Sequence, residues 1–227
     1  MKLDKEAFER WKSWIEQIKA DLMELMDYKQ IHDHFISVIN NNLEHVNQNN
    51  GKKFCEFVRK CYVVQAAVGI RRHIKSKKDN ISLMRLLEQM KECSNQFGND
   101  LFRRECFPLP NGSVTEEGFL NCSFISKQEI ERDISLLKDI AGKVESLVDQ
   151  RVAHLDKCGY RKDVTYQDID DSLNVFNKIA CRYIALLTGH NYLTLKPEVQ
   201  YNWKTIFTVP LDRRNTESEQ ANSVDPD

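Results

Sequence analysis

Between residues 4 and 26 the apolar side chains fall at Phe8, Trp11, Ile15, Ile18, Leu22 and Leu25. Steps of three and four gather such residues on one face of an α-helix, and that face must be buried. Ile31, Phe35, Val38, Ile39, Leu43 and Val46 repeat the spacing before NQNNG, rich in turn-forming Asn and Gly, ends it. The two segments predict an antiparallel helix pair. From Phe54 to Ile74 the pattern is denser, with Phe57, Val58, Cys61, Val64, Val68 and Ile70 around the small-residue stretch AAVG. A helix through the centre of a bundle is expected there, with Ala66, Ala67 and Gly69 admitting a neighbouring backbone closely.

After SKKDN the segment SLMRLLEQMKECSNQF restarts a helix, with Asn80 or Ser82 as N-cap and Leu83, Leu86, Leu87 and Met90 on one side. Residues 98–125 hold Gly98, Pro108, Pro110, Gly112 and Gly118 and no sustained period, which predicts a long irregular insertion. Ser126 and Glu129 have capping-box spacing, and the stripe Ile130, Ile134, Leu137, Ala141, Val144 and Leu147 follows. Gly159 breaks that pattern. Thr165 to Asp168 then offers another cap ahead of Ile169, Leu173, Phe176, Ile179, Ala180, Tyr183 and Leu187. YNWKTIFTVPLD is apolar enough to pack back on the bundle, whereas the residues after it are polar and lack aromatics, so 212–227 is expected to be a disordered tail.

Composition sharpens this picture in three ways. Only 8 Gly and 5 Pro in 227 residues suit long helices and few turns. The 33 basic and 34 acidic residues leave a net charge of -1, which excludes a chain that coats nucleic acid by bulk charge but not a local basic patch. Seven cysteines include no C-x-x-C pair and are odd in number, which suits reduced thiols rather than a disulfide framework or zinc site. MKLDKEAFERWKSW has no apolar core of a signal peptide and no later run would span a bilayer, so a soluble, cytoplasmic protein is expected.

Phosphate-binding loops, dinucleotide fingerprints, H-E-x-x-H and G-x-S-x-G are all missing from the sequence. His32 and His34 sit two apart and so on different faces of a helix, a weak metal pair; no metal and no cofactor are predicted. IRRHIKSKKDN concentrates Arg71, Arg72, Lys75, Lys77 and Lys78, with His73, at a helix end. These cations suit either a phosphate-binding patch or the negative end of a helix dipole. VDQRVAHLD places Arg151 and His154 four and seven residues after Leu147. A histidine exchanges protons near neutral pH and an arginine stabilises the charge that develops in RNA cleavage, where the 2′-hydroxyl is the nucleophile and no metal is required. The same residues, with Asp156, equally satisfy carbonyls at a helix C-terminus.

The order of AAVGIRRHIKSKKDNISLMRLLEQM, a later helix ending in RVAHLDK, and YNWKTIF followed by VP resembles the abortive-infection U-type branch of the HEPN superfamily, over roughly residues 55–210. The resemblance implies an up-down α-helical bundle of about five or six long helices, commonly homodimeric, with roles in phage defence or beside an antitoxin. Active members are metal-independent endoribonucleases carrying an arginine, a polar residue after it, and a histidine four to six residues beyond the arginine, with two copies meeting across the dimer. On that motif His154 is the family histidine and Asp149 the polar residue, while Val148 stands where the arginine is expected. Arg151, three residues before His154, or Arg71 and Arg72 from a neighbouring helix, then have to supply the charge. The expectation is one all-α domain over 1–211 with His154, Arg151, Asp149 and Asp156 as catalytic candidates; the alternative is an inactive module that binds nucleic acid or a protein.

Overall fold

Asp4 opens the first helix: its carboxylate accepts from the Ala7 N–H at 2.9 Å and caps α1, Lys5–Asn41. The computed structural model describes residues 4–48, 51–96, 125–149 and 164–198. At 37 residues, α1 extends about 55 Å at 1.5 Å per residue. The antiparallel pair expected from its sequence is therefore one continuous helix. Residues 27–30, Asp-Tyr-Lys-Gln, contain no breaker, and the buried stripe runs on through Met26, His32 and Phe35. The break comes at Asn42, whose side-chain amide donates to the Val38 carbonyl at 2.8 Å. The short α2, Leu43–Gln48, buries no side chain.

Helix α3, Lys52–Ile74, corrects a second expectation. Its inward face is Cys55, Tyr62, Ala66, Ala67, Gly69, Ile70, His73 and Ile74. Phe57, read from the sequence as core, is 63% exposed, and Cys61, Val64 and Val68 are exposed as well. The helix lies on the bundle's flank and presents its small residues inward, because close backbone approach outweighs the extra apolar area of the other face. Gly69 shows how close: a Cβ there would stand 2.5 Å from Leu25 Cδ2 and 2.6 Å from Leu25 Cδ1. Contacts between α1 and α3 run Asp21 to His73, Leu25 to Gly69 and His32 to Tyr62, so the two helices are antiparallel.

Ser82 caps α4, Leu83–Cys93, by accepting from the Arg85 N–H at 3.1 Å. Ser126 and Thr165 each form the reciprocal capping box, with Glu129 and Asp168, at the starts of α5, Lys127–Leu147, and α6, Tyr166–Thr188. Gly189, at φ 74°, ends α6 in the left-handed conformation that glycine adopts without Cβ strain. The buried stripes of α4, α5 and α6 are those predicted, save that Leu147 is only partly buried.

α1 packs against α6 and α3, α5 against α6, α3 and α4, around a core led by Phe8, Trp11, Phe176 and Tyr183. Two polar groups inside it are matched: Trp11 Nε1 donates to Gln89 at 3.0 Å, and the Asp133 carboxylate accepts from Arg182 at 2.7 Å and from the Tyr183 hydroxyl at 3.1 Å. The chain divides into Met1–Lys196 and Pro197–Asp227, and the six α-helices of the described residues belong to the first unit. The described residues contain no strand, and no described helix is long and apolar enough to cross a membrane. The expected insertion up to residue 124, the segment 201–212 and the polar tail lie outside the described residues.

Candidate functional site

The C-terminal end of α3 meets the C-terminal end of α5 through charge. Arg71 Nε donates to Asp149, Lys75 pairs with Glu145, and Lys75 Nζ stands 3.5 Å from the second Asp149 oxygen. Partial burial opposes ionisation of Asp149, but the Arg71 hydrogen bond and the charges of Arg71 and Lys75 outweigh it and hold its carboxyl below the usual range. On the other side of α3, Arg72 pairs with Asp21 of α1, and His73 Nε2 lies 2.6 Å from the other Asp21 oxygen. Asp21 is likewise held low: desolvation is exceeded by its bonds and charges from His73 and Arg72.

Three of the five basic residues singled out in the sequence, Arg71, Arg72 and Lys75, are thus engaged by carboxylates of α1 and α5. Lys77 and Lys78 are exposed beyond the end of α3. Of the proposed catalytic set, Asp149 is brought to Arg71, a pairing the sequence named as the alternative source of positive charge. Val148 is 3% exposed and belongs to the apolar core, so its position contributes no charge. Arg151, His154 and Asp156 lie outside the described residues.

A second constellation was not expected. An open cleft of about 330 Å³ lies between α1, α3 and α6, lined by His32, Asp33, Arg59, Tyr62, Tyr166 and Asp170 among others. The His32 ring stacks on Tyr62 with centroids 4.0 Å apart and planes 11° apart, and on Tyr166 at 5.5 Å and 18°. Lys29 joins the two carboxylates of the cleft, 2.8 Å from Asp33 and 2.9 Å from Asp170. Burial, with the nearby Lys29 and Arg59 charges, pushes His32 below the ordinary histidine value against the pull of Asp33. Burial pushes the Tyr62 hydroxyl up, so both rings are neutral at neutral pH.

His32 occupies the apolar stripe of α1, seven residues after Leu25 and three before Phe35, and that position was the available sequence signal. Reading it only as half of a metal pair hid it. Tyr62 was missed because the wrong face of α3 was read as core. Among the described residues no group of three or more His, Cys, Asp or Glu side chains is placed to hold a metal ion.

The described helices define the class of the molecule, an all-α helical bundle. No protein family, curated protein or solved structure matches the chain.

Proposed function

We propose that the protein is a HEPN-like RNA-acting defence protein, a metal-independent endoribonuclease working as a homodimer in the cytoplasm, with an antitoxin-type protein as a further partner. The observation that carries this reading is the contact of Arg71 with Asp149. It sets an arginine beside the motif's polar residue although Val148 has replaced the motif's own arginine. Arg71 then supplies the charge that stabilises the cleavage transition state, Asp149 orients it, and His154 moves the proton. Arg151 and Asp156 flank His154 in sequence and complete the candidate set.

Self-association is supported by α3. Phe54, Phe57, Cys61, Val64 and Val68 are exposed at alternating steps of three and four, the spacing of a helix–helix seam. The next step of three reaches Arg71, so a seam of this kind ends at the Arg71–Asp149 pair.

The test is purified protein incubated with total RNA in EDTA. Wild type is expected to cleave, and His154→Ala and Arg71→Ala each to lose at least about 100-fold, the usual scale of acid–base and charge contributions. Circular dichroism confirms that both variants are folded. Cleavage that survives His154→Ala sinks the assignment. Burial of Val148 in the core favours a second reading, a non-catalytic binding module; RNA retained on the protein without cleavage, in wild type and both variants alike, identifies it.

A further inference from the structure

Two polar atoms of the cleft between α1, α3 and α6 are buried without a hydrogen-bond partner: His32 Nε2 and the Tyr62 hydroxyl oxygen. Each side chain belongs to a residue only 8% exposed. Buried polar atoms are nearly always satisfied, so two on stacked neighbouring rings that line one cleft call for a reason. Gln30 and His73 also carry such an atom, but neither lines the cleft.

The chemistry required of a partner follows from the two rings. The Asp33 carboxylate, 3.8 Å from His32 Nδ1, favours the proton on that nitrogen and leaves Nε2 as an acceptor. The tyrosine hydroxyl donates. A matching ligand edge therefore offers an N–H to His32 and a carbonyl to Tyr62, side by side. The Tyr62 and Tyr166 rings stack on His32, with centroids 4.0 and 5.5 Å away, and an aromatic cluster of this kind favours a flat ligand ring. Both carboxylates of the cleft are already held by Lys29, so the site does not call for a cation. About 330 Å³ lies at the small end of ligand sites and suits a single or fused ring.

We propose that this cleft binds a planar, neutral heterocycle with a cyclic-amide edge, its ring N–H donating to His32 Nε2 and its carbonyl accepting from the Tyr62 hydroxyl. Tyr166, 46% exposed at the start of α6, is the outer wall and swings aside as the ring enters. The heterocycle is either a free molecule or a base within an RNA strand, since both present the same edge. The site does not depend on ribonuclease activity, and its test uses no cleavage readout.

Calorimetric titration of the full chain with uracil, 1,3-dimethyluracil and a short oligouridylate separates these sources. Uracil is expected to saturate the site. 1,3-Dimethyluracil keeps the planar ring and both carbonyls but carries a methyl in place of each N–H, and should bind at least about tenfold more weakly, at least one hydrogen bond lost with its acceptor left unpaired. Tyr62→Phe, which preserves the stacking, should weaken uracil about three- to tenfold while leaving the thermal midpoint unchanged or raised. Binding of oligouridylate but not uracil, with the same sensitivity to Tyr62→Phe, assigns the site to a strand. The proposal is overturned if neither uracil nor oligouridylate binds, if 1,3-dimethyluracil matches uracil, or if Tyr62→Phe changes nothing.

Discussion

Gly69 sets the distance between α1 and α3. Both methyls of Leu25 lie within 2.6 Å of where a Cβ would be, and Leu25 is buried, so turning its side chain exchanges one clash for another. Gly69→Ala gains about 0.5–1 kcal/mol in helix propensity but overpacks the core at about 1–3 kcal/mol. Overpacking wins, and urea unfolding is expected to show net destabilisation; adding Leu25→Ala should cost less than the two single changes together. The small-residue stretch was legible in the sequence and correctly implied close approach. Its consequence for the neighbours was not drawn: Ala66 and Gly69 define an inward face that continues to Tyr62 and His73, and excludes Phe57 and Val64. Apolar counting favoured the latter face because both faces of α3 have apolar side chains, and spacing alone does not choose between them.

Helix starts were legible because capping chemistry is local. Ser82, Ser126 and Thr165 all cap as their spacing predicts. The join within α1 was not, since apolar runs with a shifted phase read as two elements when no breaker separates them. At the start of α6, the Lys143 ion pair and the Thr165 hydrogen bonds hold Asp168 down to about 2, below its ordinary 3.8. A carboxyl with a depressed folded value stabilises the fold above its unfolded value and loses that contribution as pH falls through the folded one. Part of the stability is therefore expected to vanish between about pH 4 and about pH 2, with Asp21 and Asp149 acting in the same direction. Urea midpoints across that range measure it, and the acid loss should be smaller in Asp168→Asn than in wild type. Thr165→Ala should cost about 0.5–2 kcal/mol at neutral pH.

For the whole molecule, the exposed α3 seam makes a prediction about assembly. Sedimentation of wild type is expected to show concentration-dependent dimers, and Phe57→Glu, which places a charge on the seam without touching the core, should leave monomers with an unchanged thermal midpoint. A wild type that stays monomeric at all concentrations removes the seam as an interface. All-α architecture was readable from periodicity and from the scarcity of Gly and Pro. The candidate site was readable only in pieces. Asp149 and Arg71 stand 78 residues apart, and their meeting depends on how α3 packs against α5, which one-dimensional spacing does not encode.

The antiparallel match of α1 with α3 also governs which changes of chain length the protein can absorb. From Asp21 to Leu25 to His32 the steps are four and seven; from His73 to Gly69 to Tyr62 they are the same in reverse. One residue inserted between Leu25 and His32 would leave the Asp21 pairing intact and turn everything beyond the insertion by about 100°. His32 would leave Tyr62 while the charged end of the interface stayed in place. Insertions and deletions, unlike substitutions, can thus uncouple the aromatic cleft from the Arg71–Asp149 end, and a length variant of α1 would keep one without the other.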